Sequence, residues 1–105
     1  MMPGRKVLIV EDDPIIAEGY RRYVSKAGYQ VEIARDGQRA MARLPDFRPD
    51  AVLLDLMLPH INGIEMLKKV RASEGFKSLP VIVLTSAFFG DMIKNAIAED
   101  RATLA

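Results

Sequence analysis

Four short apolar runs set the limits of what this chain can become. Val7-Leu8-Ile9-Val10, Ala51-Val52-Leu53-Leu54 and Val81-Ile82-Val83-Leu84 are continuous, and Gln30 to Ala34 alternates with Val31 and Ile33 on one face. A short continuous run rich in β-branched residues reads as a strand buried on both sides, as in a parallel sheet. Parallel strands need crossover connections, most often helices, and the intervening segments supply them. Pro14 fits a first helical turn. Ile15, Ile16, Gly19, Tyr20, Tyr23, Val24 and Ala27 then recur near helical spacing, and Gly28 closes the helix. Ala40, Met41 and Leu44 mark a second helix, ended by Pro45. Gly63 to Ala72 forms a third, with Ile64, Leu67 and Val70 on its inner side. Asp91 to Ala98 forms a fourth, with Met92, Ile93, Ala96 and Ile97 apolar. This strict alternation predicts an α/β fold, a doubly wound parallel sheet with helices on both faces, in one domain over residues 1–105.

Composition narrows the function classes. The 105 residues carry a net charge of +1 with acids and bases scattered along the chain, which gives no basic stripe for direct nucleic-acid binding. No apolar run approaches the roughly 20 residues of a membrane span, and the N-terminal apolar segment is too short for a signal peptide, so the expected compartment is cytoplasmic. Cysteine is absent, which excludes disulfides and thiolate metal sites.

The predicted strands end in polar residues: Glu11-Asp12-Asp13 after the first, Asp55 at the third and Thr85-Ser86 after the fourth. In a parallel sheet these ends share one edge, and ligands of open α/β sheets bind in the crevice there. An ionised carboxylate delivered by a buried strand loses heavily on leaving water unless it is paired or binds a metal. Two unit charges at ~4 Å repel by about 4 kcal/mol at an effective dielectric of 20. Either one acid is protonated or a cation sits among them. Oxygen ligands with no His or Cys nearby suit Mg²⁺, with Mn²⁺ as the alternative, and Mg²⁺ characteristically combines one or two carboxylates with waters and phosphate oxygens. The Thr85 hydroxyl can donate to a phosphoryl oxygen at the same edge. These parts describe metal-assisted phosphoryl transfer to a carboxylate.

Three segments carry a specific resemblance: Val10-Glu11-Asp12-Asp13, the run from Leu53 through Asp55 and Pro59 to Asn62-Gly63, and Pro80 through Leu84 to Thr85-Ser86. In this order and at these intervals they resemble the receiver domain of two-component response regulators, from about residue 5 to the C-terminus. The resemblance implies a flavodoxin-like fold and a role for each matched position. Asp55 would be the phosphoacceptor. Asp12 would bind Mg²⁺ directly, Glu11 through a coordinated water, and Met57 through its backbone carbonyl. Thr85 would move its hydroxyl toward the phosphoryl group. The implied partners are a sensor histidine kinase or phosphotransfer protein and a downstream effector protein, and the chain itself would not be an enzyme. Asp13 is open between a supporting acid and a helix-terminal residue. Ser86 reads as a helix cap, His60 as a solvated turn residue, Phe88-Phe89 as packing or a loop over the crevice, and Met57 and Met66 as ordinary core or turn side chains.

The chain also departs from the family pattern. Receivers continue through a fifth strand and helix and place a lysine at the end of that strand. Here Ala102-Thr103-Leu104-Ala105 reads as a partial fifth strand, the fifth helix is missing, and the lysine position would fall just beyond Ala105. The expectations are an exposed edge at the fourth strand, uncovered apolar faces on the sheet and first helix, and a homodimer or higher oligomer. The alternative function is a receiver-like interaction module that is not phosphorylated. A haloacid-dehalogenase-type phosphatase needs a second Asp where Met57 stands, and no Gly-x-Gly-x-x-Gly follows the first strand for a dinucleotide.

Overall fold

The computed structural model describes residues 5–55, 63–84 and 103–104. In chain order the elements are β1 (Lys6–Val10), α1 (Pro14–Lys26), β2 (Gln30–Ala34), α2 (Gly37–Phe47), β3 (Ala51–Asp55), α3 (Gly63–Ala72), β4 (Val81–Leu84) and β5 (Thr103–Leu104). The strands form one sheet in the order β2-β1-β3-β4-β5, parallel at every pairing. Val10 stands beside Ala34 on one side and Leu54 on the other. The strand ends after β1 and β3 are therefore neighbours. The fourth helix expected over Asp91 to Ala98 lies outside the described residues.

Strand side chains alternate between the two faces of the sheet, and the faces are covered unequally. On one face Leu8, Val10, Val52, Leu54, Val81 and Val83 join a single buried cluster with α2 and α3. From α2 come Ala40, Leu44 and Phe47, and from α3 Met66, Leu67 and Val70. On the other face Val7, Ile9 and Ala17 are buried, whereas Leu53 and Ile82 remain half-buried.

Local chemistry explains most boundaries. Asp13 caps α1, accepting from the amides of Ile15 at 2.8 Å and Ile16 at 3.2 Å, and Pro14 occupies the first turn, where its missing N–H leaves no bond unmade. Ala27 ends the helix, and Gly28 follows at φ 102, a left-handed conformation that glycine adopts without penalty. Asp36 caps α2 through the Arg39 amide at 2.8 Å.

Two expectations need correction. The second helix does not stop at Pro45 but continues to Phe47. A proline removes one intrahelical donor, yet the last turn is held from outside the helix. Phe47 is buried in the core, Lys6 Nζ donates to the Phe47 carbonyl at 3.1 Å, and Arg48, left-handed at φ 50, donates its N–H to Leu44 O at 2.9 Å. The edge expected along β4 is covered where β5 pairs with it, Ile82 with Thr103 and Val83 with Leu104. The uncovered apolar face expected on α1 is present. Ile15 is 83% exposed, Tyr23 81% and Ile16 46%, and Ala17 is the residue of that helix that is buried. The sheet covers only the arc of α1 around Ala17, so periodicity located an apolar face without locating a cover for it.

Candidate metal centre

Parallel pairing of β1 with β3 decides the geometry of the crevice. Glu11 directly follows β1, and its amide donates to Ala34 O at 3.0 Å, extending the alignment with β2 by one residue. Asp55 ends β3, where it pairs in register with Leu84 of β4. Carboxylate oxygens of Glu11, Asp12 and Asp55 all lie within 4.8 Å of one another. Among the described residues this is the one grouping of three potential metal-ligating side chains. Glu11 is buried, Asp55 half-buried and Asp12 exposed, so the cluster runs from the protein interior to solvent.

Electrostatics follow from that placement. Burial is the largest influence on Glu11, which is 4% exposed. The hydrogen bond to Asp55 and then the charges of Asp55, Asp12 and Asp13 act in the same direction. Together they push the Glu11 carboxyl up to about 8. Glu11 therefore holds a proton near neutrality and donates it in its hydrogen bond to Asp55, which lessens the repulsion within the cluster.

The donor set fits a hard divalent cation. It offers carboxylate oxygen and neither imidazole nor thiolate, which is the chemistry of Mg²⁺ or Mn²⁺. Ligand oxygens of an octahedral Mg²⁺ stand about 3 Å apart when adjacent and about 4 Å when opposite. Carboxylate oxygens within 4.8 Å of one another are close enough that one cation could be shared among them. Asp13 stays out of the cluster because its carboxylate is committed to the cap of α1, which settles the two roles left open for it. Thr85 and Met57 lie outside the described residues, as do Ser86, His60 and Phe88-Phe89. Met66 is a fully buried core side chain.

The likeness to known proteins points to the same crevice. Response regulator MprA of Mycolicibacterium vanbaalenii is 42% identical over 85 residues, covering 81% of this chain and 36% of that protein. Response regulator MprA of Mycobacterium avium is 40% identical over 81 residues, 77% of this chain and 35% of its own length. The chain thus spans about a third of the length of these curated relatives. The chemotaxis protein CheY4 of Vibrio cholerae superimposes with a TM-score of 0.87 at 32% identity, over 95% of this chain and 82% of that one. The Mn²⁺-bound form of response regulator Rcp1 superimposes with a TM-score of 0.83 at 28% identity, over 95% and 78%. Residues 7–102 match the family described as the response regulator receiver domain. With a parallel sheet in this strand order and an acidic cluster at its ligand-binding edge, the chain belongs to the response regulator receiver domain family.

Proposed function

We propose that this chain is a single receiver domain over residues 1–105 that takes a phosphoryl group onto Asp55 in two-component signalling. The observation that carries the reading is the convergence of Glu11, Asp12 and Asp55 at the C-terminal edge of a parallel sheet in a member of this family. Asp55 is the nucleophile. One of its carboxylate oxygens bonds to phosphorus as the bond from phosphorus to the donor's imidazole nitrogen breaks, and the departing imidazole takes up a proton. The product is an aspartyl phosphate. Bound Mg²⁺ would neutralise charge on the phosphoryl oxygens, held by Asp12 directly, by Glu11 through water, by Asp55, and by the Met57 carbonyl. Glu11 must release its proton for this arrangement, which frees Asp55 of the hydrogen bond it accepts. The Thr85 hydroxyl donates to the phosphoryl group, a role assigned on family resemblance.

The donor is a sensor histidine kinase or a phosphotransfer protein, and the reader of the phosphorylated state is an effector protein. A charge added at Asp55 biases a two-state surface that such a partner recognises. Cytoplasmic placement belongs to the same reading. Among the described residues no helix is long and apolar enough to cross a membrane.

Incubation with a small acyl phosphate and Mg²⁺ tests the reading. The expected result is one acid-stable, base-labile phosphate per chain that disappears in Asp55→Asn and in the absence of divalent cation. A chain that takes up no phosphate from the acyl phosphate or from a receiver-competent kinase is instead the unphosphorylated interaction module.

A further inference from the structure

β2 ends the sheet, with β1 as its neighbour and no strand on its other side among the described residues. The Gln30 amide donates to Arg5 O at 2.9 Å, and Ala34 O accepts from the Glu11 amide at 3.0 Å. Backbone groups alternate in direction along a strand. Gln30, Glu32 and Ala34 therefore turn theirs toward β1, and Val31 and Ile33 turn theirs outward. A free edge of this kind is a template for another strand. Val31 and Ile33 suit such an addition, being β-branched and half-buried.

The residue between them does not. Glu32 stands in register with the fully buried Leu8, so its side chain leaves the strand on the face that carries the core. Arg43 of α2 meets it there with a two-pronged contact, Nε to Oε1 at 2.8 Å and Nη2 to Oε2 at 2.9 Å. Glu32 is 38% exposed and Arg43 40%. A pair so open to water adds little to stability, which leaves a charge in mid-strand without a stabilising purpose.

We propose that Glu32, held by Arg43, is an edge guard that keeps β2 from pairing with β2 of a second copy. In the antiparallel register that uses Val31 and Ile33 of both strands, Val31 lies opposite the second copy's position 33. Glu32 then lies opposite itself. That position is not hydrogen-bonded across the pair, and Cα atoms there approach to about 4.5 Å. Like charges directly opposite are destabilising. Each Arg43 is committed to the Glu32 of its own chain, so the fork holds both carboxylates on the shared face. The guard depends neither on Asp55 nor on its phosphorylation.

Glu32→Val and Glu32→Lys separate the guard from the ion pair, since both break the pair and only the second leaves a charge on the edge. Sedimentation velocity over the micromolar range reads the outcome, with circular dichroism to verify folding. Glu32→Val should associate about tenfold or more tightly than the unaltered chain, and Glu32→Lys no more tightly than it. The chain has no cysteine, so a disulfide formed by Glu32→Cys joins position 32 of two copies. It should form faster than the one formed by Gln38→Cys, at an exposed position of α2. Three results each overturn the proposal: Glu32→Val associating no more than the unaltered chain, Glu32→Lys associating as Glu32→Val does, or equal cross-linking at positions 32 and 38.

Discussion

α1 and α2 read alike in sequence and behave oppositely in the fold. Both start from an aspartate cap, and both carry apolar residues at helical spacing. α2 buries Gly37, Ala40, Leu44 and Phe47, whereas α1 buries Ala17. Period therefore states that a helix owns an apolar side. Whether that side is buried depends on what other elements bring to it. α2 lies in a layer with α3 over the sheet face formed by Leu8, Val10, Val52, Leu54, Val81 and Val83. α1 meets β1 and β2 on the opposite face, where Leu53 and Ile82 are also incompletely covered.

The contrast can be broken most directly in the core. Leu44→Ala should destabilise the chain by about 2–5 kcal/mol in denaturant unfolding, because the cavity it leaves is walled by both α3 and the sheet. A loss under about 1 kcal/mol would mean that α2 is no better packed than α1. The next effect belongs to the turn between β1 and α1. Glu11 titrates at 4.5 when unfolded and at about 8 in the fold. Between these values the folded chain keeps a proton that the unfolded chain has lost. The metal-free fold should therefore lose stability as pH rises from about 4.5 to 8, at no more than about 1.4 kcal/mol per pH unit. Glu11→Gln should flatten that slope. Mg²⁺ competes with the same proton, so its apparent affinity, read by isothermal titration calorimetry, should climb over the same interval and level off above it. A pH-independent affinity would remove Glu11 from the site.

Smaller effects separate the helix ends from the helix faces. Asp13→Ala should cost about 1 kcal/mol, the usual loss of an aspartate cap, and should change divalent-cation binding far less than Asp12→Ala does, because Asp13 acts on the cluster through its charge and not as one of its members. Ile15→Ala should shift the unfolding free energy of the monomer by no more than about 0.5 kcal/mol. A larger loss measured at low concentration would show that α1's outer side is covered within one chain after all.

Most of the sheet was legible in the residues. Ala51–Asp55 and Val81–Leu84 follow the continuous apolar runs that announced them, and Gln30–Ala34 follows its alternation, because strand period and burial leave little freedom in composition. The acidic cluster was legible for a topological reason. A parallel sheet forces the ends after β1 and β3 to one edge, and Glu11, Asp12 and Asp55 occupy those ends. What could not be read was tertiary. Pro45 looks like a stop until Lys6, from a strand far away in sequence, is seen to hold the carbonyl of Phe47.

The cap on α1 has a consequence for observing the site. Asp13 adjoins two residues of the acidic cluster and holds the amides of Ile15 and Ile16. Those two amides are therefore natural gauges of occupancy. A cation held by Glu11 and Asp12 would restrain the turn that presents Asp13. Hydrogen exchange at Ile15 and Ile16 should slow when Mg²⁺ is added, while the amide of Arg39 under the equivalent Asp36 cap, remote from the acids in sequence, should exchange at an unchanged rate.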